Sequence, residues 1–371
     1  MRDSVRAMAQ AELAPVAAAL DEAGVFPLVQ VKRLAELGVM GVSVPTELGG
    51  AGMDAVAYAL AVEEISAGCG SCGVIVSVNN SLACDPILKY GTPAQRQRWL
   101  PGLASGAQLG CFALSEPSTG SDAAAQRTVA KADGEHWIID GSKNFITNGA
   151  DAQICIVFAM GDRSRGVKGI NAFIVPTDTP GFLVAKSERK LGIKASSTAQ
   201  ISLDSVRLPA EALLGVPGDG FKIAMGSLDG GRIGIAAQAL GIARAAYTAA
   251  LLYSKERHAF GAAIAQLQGI QTLLADMATQ LQAARLLIWR AARQKDQGER
   301  FSAAAAMAKL YASEMSNRVT NHALQIFGGY GYCKDYPVER HLRDARICEI
   351  YEGTSEIQRL VIAREVLATP R

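Results

Sequence analysis

Charge is scarce in this chain of 371 residues: 19% are charged, and 37 basic residues against 35 acidic ones leave a net +2, with no long run of either sign. The electrostatic footprint of a nucleic-acid binder is missing, so nucleic acid is not an expected partner. Long apolar runs are missing too. Residues of the AVILMFWYC set make up 49% of the sequence, yet no stretch approaches the ~18 uninterrupted apolar positions of a membrane helix. Even 233–252 is broken by Gln238 and Arg244. No membrane span is expected, and the apolar surplus must be covered by protein, in a helix-rich core or between subunits. Arg2 and Arg6 are interleaved with Asp3 and Glu12 and no apolar signal core follows, which argues against secretion.

Cysteine offers neither a disulfide framework nor a metal site. The seven (Cys69, Cys72, Cys84, Cys111, Cys155, Cys333 and Cys348) form an odd set without framework spacing, as suits a reducing compartment. The C-x-x-C at Cys69–Cys72 has no second pair or histidine at zinc spacing, and His136, His258, His322 and His341 are scattered. Also lacking are G-x-x-x-x-G-K-[ST], G-x-S-x-G and H-E-x-x-H, which removes most of the case for an ATPase, a serine hydrolase or a zinc peptidase.

What is present divides by texture. Positions 1–108 carry apolar residues at helical spacing, broken by Pro45 and Gly49-Gly50, with Pro93 placed to start a helix capped by Thr92. From 109 to 217 the runs are short and rich in β-branched or aromatic residues (108–114, 136–140, 153–160, 170–175, 200–204), separated by Asp133-Gly134, Asp140-Gly141 and Pro180-Gly181. No long helix intervenes, so an antiparallel β domain is expected. From 218 to 371 long helical segments return, near 221–254, 265–297 and 302–327, with lengths that suit a four-helix bundle. The predicted class is α+β multidomain: N-terminal helical domain, central antiparallel β domain, C-terminal bundle.

Polar residues with chemical potential gather in a few places. Ser115-Glu116-Pro117-Ser118-Thr119-Gly120-Ser121-Asp122 and Phe145-Ile146-Thr147-Asn148-Gly149 read, taken alone, as turns between strands. Arg257 reads as a solvated charge and Gly328-Gly329 as a helix stop that lacks the G-x-G-x-x-G order of a dinucleotide fold. Glu352 lies just before a helix start, where Ser355 and Gln358 have the S-x-x-Q spacing of a capping box. The helix dipole there favours its ionised form and burial disfavours it, so its pKa can be tuned either way.

In this order, and with helices on both sides of a β region, these segments resemble the acyl-CoA dehydrogenases, most closely the short-chain (butyryl-CoA) members, over 1–367. The resemblance implies an FAD enzyme that oxidises a short-chain saturated acyl-CoA to the trans-2-enoyl-CoA and passes electrons to an electron-transferring flavoprotein. It makes Glu352 the catalytic base; relatives that carry the base elsewhere place it where this chain has Gly231. It assigns the cofactor to Phe112, Leu114, Ser115, Gly120, Ser121, Phe145, Ile146, Thr147, Arg257, Phe260, Gln268, Gln325, Ile326, Phe327, Gly328, Gly329, Thr354, Ser355 and Glu356. It assigns the substrate to Ser121, Asp229, Arg232 and Gly353, and implies a homotetramer built as a dimer of dimers. Phe145 stands where many relatives have Trp, and Ala83-Cys84 stands near the expected acyl-chain end, where smaller side chains would deepen the pocket. A branched-chain or other acyl-CoA, an oxidase on the same scaffold, and a non-catalytic flavin-binding or acyl-CoA-binding subunit stay open as alternatives. The expected location is the cytoplasm of a bacterium, or the mitochondrial matrix of a eukaryote.

Overall fold

A computed structural model describes residues 1–368; positions 369–371, at the end of the expected 218–371 bundle, lie outside the described residues. Helices come first: α1 (Arg2–Met8), α2 (Ala17–Ala23), α3 (Leu28–Glu36), α4 (Ala55–Gly68), α5 (Gly70–Val78), α6 (Asp85–Tyr90) and α7 (Pro93–Ala104). A π-helical turn at Asn79–Cys84 carries α5 into α6. The start of α7 is the expected one, with Pro93 as its first residue and Thr92 and Gln95 forming a reciprocal capping box. Such a cap contributes about 1 kcal/mol.

The strands follow: β1 (Gly110–Ala113), β2 (Val129–Asp133), β3 (His136–Thr147), β4 (Ile154–Met160), β5 (Ile170–Pro176), β6 (Phe182–Ser187), β7 (Thr198–Pro209) and β8 (Leu213–Leu214). They form one eight-stranded sheet in the order β6-β7-β3-β2-β4-β5-β8, with β1 also against β4. Most pairings are antiparallel as expected, but the sheet is mixed. Both β1 and β2 run parallel to β4, lying end to end along one of its edges. A parallel neighbour needs a crossover of a dozen or more residues, and here strands and loops supply it instead of a helix. Between β1 and β2 the chain leaves the sheet for the 114–128 excursion.

Long helices close the chain: α8 (Gly220–Glu256), α9 (Gln268–Asp296), α10 (Ser302–Phe327), α11 (Val338–Arg346) and α12 (Ser355–Ala368). The centre of the helical core is α8, packed against α4, α9 and α10. It comes so close to α4 that a β-carbon on Gly241 would lie 2.3 Å from the Glu63 carbonyl oxygen, which only glycine permits. By length and apolar content α8 would also pass for a membrane span, but its apolar faces turn into the protein core, and Arg232 and Arg244 find carboxylate partners there. Glu63 and Glu64 of α4 bind Arg6, Arg244 and Arg285, tying α1, α8 and α9 to α4. The sheet is docked onto the helices through Asn79, which accepts the Gly110 N–H, and Asn148, whose amide donates to the Ile75 carbonyl.

Candidate active site

The segment between α11 and α12 bends sharply at Glu352 (φ 51°) and Gly353 (φ 90°), two successive residues in the left-handed region. Glycine adopts this freely, whereas a residue with a β-carbon loses about 1–2 kcal/mol. Three hydrogen bonds from two side chains hold the turn. Gln358 Nε2 donates to the carbonyls of Glu352 (3.3 Å) and Gly353 (2.8 Å), and Lys309 Nζ, from α10, donates to the Gly353 carbonyl at 2.7 Å. The expected capping arrangement shifts by one residue. Ser355 is already the first helical residue, so the cap is Thr354, whose hydroxyl accepts the Ile357 N–H at 3.3 Å. Gln358 turns to the carbonyls of the bend, and the buried Ser355 hydroxyl has no partner among the described residues.

The Glu352 side chain points inward onto α8. Both carboxylate oxygens are buried and neither has a hydrogen-bond partner among the described residues. Space for them exists because position 231 is glycine: a β-carbon there would lie 2.0 Å from Oε2. Burial raises the Glu352 pKa from 4.5 to about 7 against the pull of Lys309 and Arg232, so burial outweighs the favourable charges. Arg232 donates to Asp229 at 2.5 Å, and Asp229 accepts the Ser302 hydroxyl at 2.5 Å. The Arg232 Nε is buried without a partner among the described residues. Leu82 and Tyr58 fill the space beside Gly231 and Gly234, and the Tyr58 hydroxyl meets Ser77 Oγ at 2.9 Å. Leu82, not Ala83-Cys84, is the residue of that stretch nearest the carboxylate. Ala83 packs on Gly110 and the Cys84 thiol faces the Met40 carbonyl, so those small residues do not deepen this space.

A second group of expected site residues meets on the sheet. At the base of the 114–128 excursion Glu116 and Thr119 exchange backbone hydrogen bonds of 2.9 and 3.1 Å, so Ser118-Thr119 fits a tight turn. The fully buried Glu116 carboxylate accepts the N–H groups of Arg127 (2.7 Å) and Thr128 (3.0 Å) and pairs with the fully buried Lys143 ammonium at 2.9 Å. Burial alone would push the Glu116 pKa up, but Lys143 and these donors hold it below 4.5; burial pulls Lys143 down to about 8. Lys143 also donates to the Leu114 carbonyl, fixing the exit of β1. A bulge in β3 between Lys143 and Ile146 turns Phe145 outward, with φ 59° and 64% of it exposed. The Asn144 N–H donates to the Ser115 carbonyl at 2.9 Å. Phe112, Leu114 and Ser115 are thereby joined to Phe145, Ile146 and Thr147, while Gly120 and Ser121 stand exposed near the tip of the excursion.

A third group lies apart from the first. Arg257 lies 25 positions after Arg232, just past the far end of α8, roughly 37 Å away at 1.5 Å per residue. There a cavity of about 440 Å³ is lined by Tyr253, Arg257, Ile326, Phe327, Gly328 and Gly329. A β-carbon on Gly328 or Gly329 would meet nothing within 4 Å. Gln268 and Gln325 are exposed on α9 and α10. Phe260 and Gly261, with φ 53° and 82°, form the two-residue tip of a hairpin joining 258–259 to 262–263. The Phe260 ring is 94% exposed.

Lys309, Leu82 and Tyr58 were not singled out by the sequence, and Gln358 only as a capping side chain. For Lys309 a signal existed: it is the one cation in the apolar run from Ala303 to Ala312.

Three domain descriptions match the sequence: acyl-CoA dehydrogenase N-terminal domain over 1–107, middle domain over 111–206 and C-terminal domain over 218–367. The short-chain specific acyl-CoA dehydrogenase, mitochondrial, of Bos taurus is 56% identical over 371 residues, covering 100% of this chain and 90% of the relative. The butyryl-CoA dehydrogenase structure from Megasphaera elsdenii is 45% identical with a TM-score of 0.97, covering 99% of this chain and 98% of that one. A chain from a structure described as the electron transferring flavoprotein of Acidaminococcus fermentans, in work on flavin-based electron bifurcation, is 47% identical with a TM-score of 0.98, covering 99% of this chain and 97% of that one.

Proposed function

We propose, from the premise that this chain belongs to the acyl-CoA dehydrogenase family, that it oxidises a short-chain saturated acyl-CoA to its trans-2-enoyl-CoA, with Glu352 as the base. The observation that carries this reading is the Glu352 carboxylate, buried over Gly231 with both oxygens unpartnered among the described residues. An orphaned buried acceptor is costly, and it suits a proton that arrives only with the substrate. The α-proton of a thioester is weakly acidic, so its removal needs a positioned carboxylate with a pKa near the working pH. Leu82 and Tyr58, crowding the glycine face of α8 beside that carboxylate, favour a short acyl chain.

The donor set fits FAD. Half-buried Ser115 and Thr147 bring hydroxyls to the polar edge of an isoalloxazine, Phe145 offers an exposed ring to stack on it, and Arg257 suits a pyrophosphate over the open Gly328-Gly329 backbone. Thr354, Ser355 and Glu356, at the start of α12, complete the expected cofactor contacts. When bound, FAD supplies the acceptor for the substrate's β-hydride. Glu352 takes the α-proton at a carboxylate oxygen and its backbone N–H holds the thioester oxygen, while Arg232, Asp229, Gly353 and Ser121 bind the acyl-CoA.

Arg257, Phe260, Gln268 and Gln325–Gly329 gather at the end of α8 away from Arg232, and in this reading each cofactor site takes them from a neighbouring chain, in a homotetramer. The exposed Phe260 is the surface such a neighbour covers. An electron-transferring flavoprotein is the acceptor, and the free cysteines suit a bacterial cytoplasm or a mitochondrial matrix.

Anaerobic titration of the purified protein with butyryl-CoA, hexanoyl-CoA and isobutyryl-CoA tests the reading. Bleaching of the flavin band that is fastest and most complete with butyryl-CoA is expected; a yellow protein that none of them bleaches overturns it. Gly231→Ala places a methyl group where Oε2 lies and displaces the base. A misplacement of about 1 Å lowers the bleaching rate by about 100-fold, which stopped-flow absorbance would measure.

A further inference from the structure

Among the residues around Glu352, Lys309 has no part in the reading above. It lies on α10 in a wall of buried small residues (Ala305, Ala308, Ala312 and Ser313), and its side chain is fully buried. A lysine is retained in such a place only against a desolvation cost of several kcal/mol. Its ammonium is spent on one backbone carbonyl, that of Gly353, at 2.7 Å, the group immediately after the left-handed Glu352.

The surrounding charges leave it uncommitted. From the segment after α11 it is faced by Cys348, Glu349 and Glu352, and from α8 by Arg232. Glu349 pairs with Arg346 and Arg232 pairs with Asp229. Burial pushes the Cys348 thiol up to about 12 and raises the nearby Tyr351 and Tyr58 phenols, so all three are neutral. Among the described residues, what remains is one cation without a carboxylate of its own and one carboxylate without a donor.

We propose that Lys309 is a positioning residue for proton abstraction: it pins the Gly353 carbonyl so that the Glu352 side chain stays over Gly231, and its charge keeps that carboxylate ionised. The proposal rests on Glu352 being the base, and two readouts separate the two ideas. In the first, the rate of anaerobic bleaching by butyryl-CoA is followed against pH for wild type, K309M, K309Q and K309R. In the second, isotope-edited infrared titration of the Glu352 carboxyl, with E352Q as the blank, reports its ionisation with no substrate present.

For K309M the midpoint of both curves is expected to rise by about one pH unit or more, with the bleaching rate at pH 7 down at least about 5-fold. K309R should titrate like wild type, because the charge is kept. K309Q, which keeps a donor without charge, shifts the midpoint but loses less of the rate at high pH, and it decides the matter should K309M not fold. Midpoints that stay at the wild-type value in K309M and K309Q, with only the unfolding temperature lowered, overturn the proposal. A wild type that no acyl-CoA bleaches, with the infrared midpoint still shifted in K309M, removes the assigned reaction and leaves the Lys309–Glu352 coupling standing.

Discussion

Glu352→Gln yields a protein that stays yellow and still binds acyl-CoA but turns over roughly 1,000- to 10,000-fold more slowly, the upper range for removing a positioned general base. The amide is nearly isosteric, so the cradle of Gly231, Leu82 and Arg232 survives while the acceptor of the proton is gone. The wild-type rate should rise with pH about a midpoint near 7, since only the ionised carboxylate accepts a proton and burial holds its pKa there. Stability runs the other way. A carboxyl raised from 4.5 to about 7 stabilises the fold most below 4.5 and loses that contribution as pH climbs through 7, which amounts to roughly 3 kcal/mol. The glutamine variant should therefore melt higher than wild type at pH 8 and close to it at pH 4. A glutamine variant that turns over at the wild-type rate would sink the assignment of the base.

Lys143→Met is expected to cost about 3–5 kcal/mol, the usual penalty for stripping one partner from a buried ion pair. Glu116 would keep its two backbone donors but lose its cation, and the Leu114 carbonyl would lose a donor at the point where the chain leaves β1. Damage should concentrate in the 114–128 excursion, so flavin release on heating ought to precede global unfolding. Flavin fluorescence read alongside circular dichroism separates the two events. Replacing both partners, Lys143→Met with Glu116→Leu, should recover part of the loss because no charge is then buried alone. Coincident transitions at the wild-type temperature would show that this pair does not support the proposed flavin-binding segment.

Much of this was legible from residue pattern. The ends of α10 agree with the expected 302–327 because a glycine pair follows Phe327, and β4 and β5 stand out as continuous β-branched and aromatic runs buried on both faces. Three strands escaped notice: β8 is only two residues long, and β2 and β6 are mostly exposed, since Val129–Asp133 carries Lys131 and Asp133 and Phe182–Ser187 buries only its first residue. Their hydrogen bonds come from neighbours, and nothing in their own composition announces them. The parallel pairings with β4 were hidden for a related reason, since register across a crossover depends on what the intervening chain does. In the candidate site, the position of Glu352 just before a helix was legible, and what surrounds its carboxylate was not. Lys309 stands out in an apolar run, but only the fold shows α10 enclosed there and which carbonyl the ammonium meets, and Gln358 reads as a capping side chain until the bend at Gly353 turns its amide elsewhere.

The length of α8 has a thermodynamic consequence. One helix carries the proposed substrate residues Asp229 and Arg232 in its first half and leads into Arg257, proposed for the cofactor, roughly 37 Å further on, too far apart to meet in one site of one chain. In the proposed assembly each flavin therefore bridges two subunits, and by linkage whatever free energy FAD adds to their association it receives back as its own affinity. Dilution should loosen the cofactor as surely as removal of the cofactor loosens the oligomer, so saturation with flavin and quaternary state rise and fall as one equilibrium.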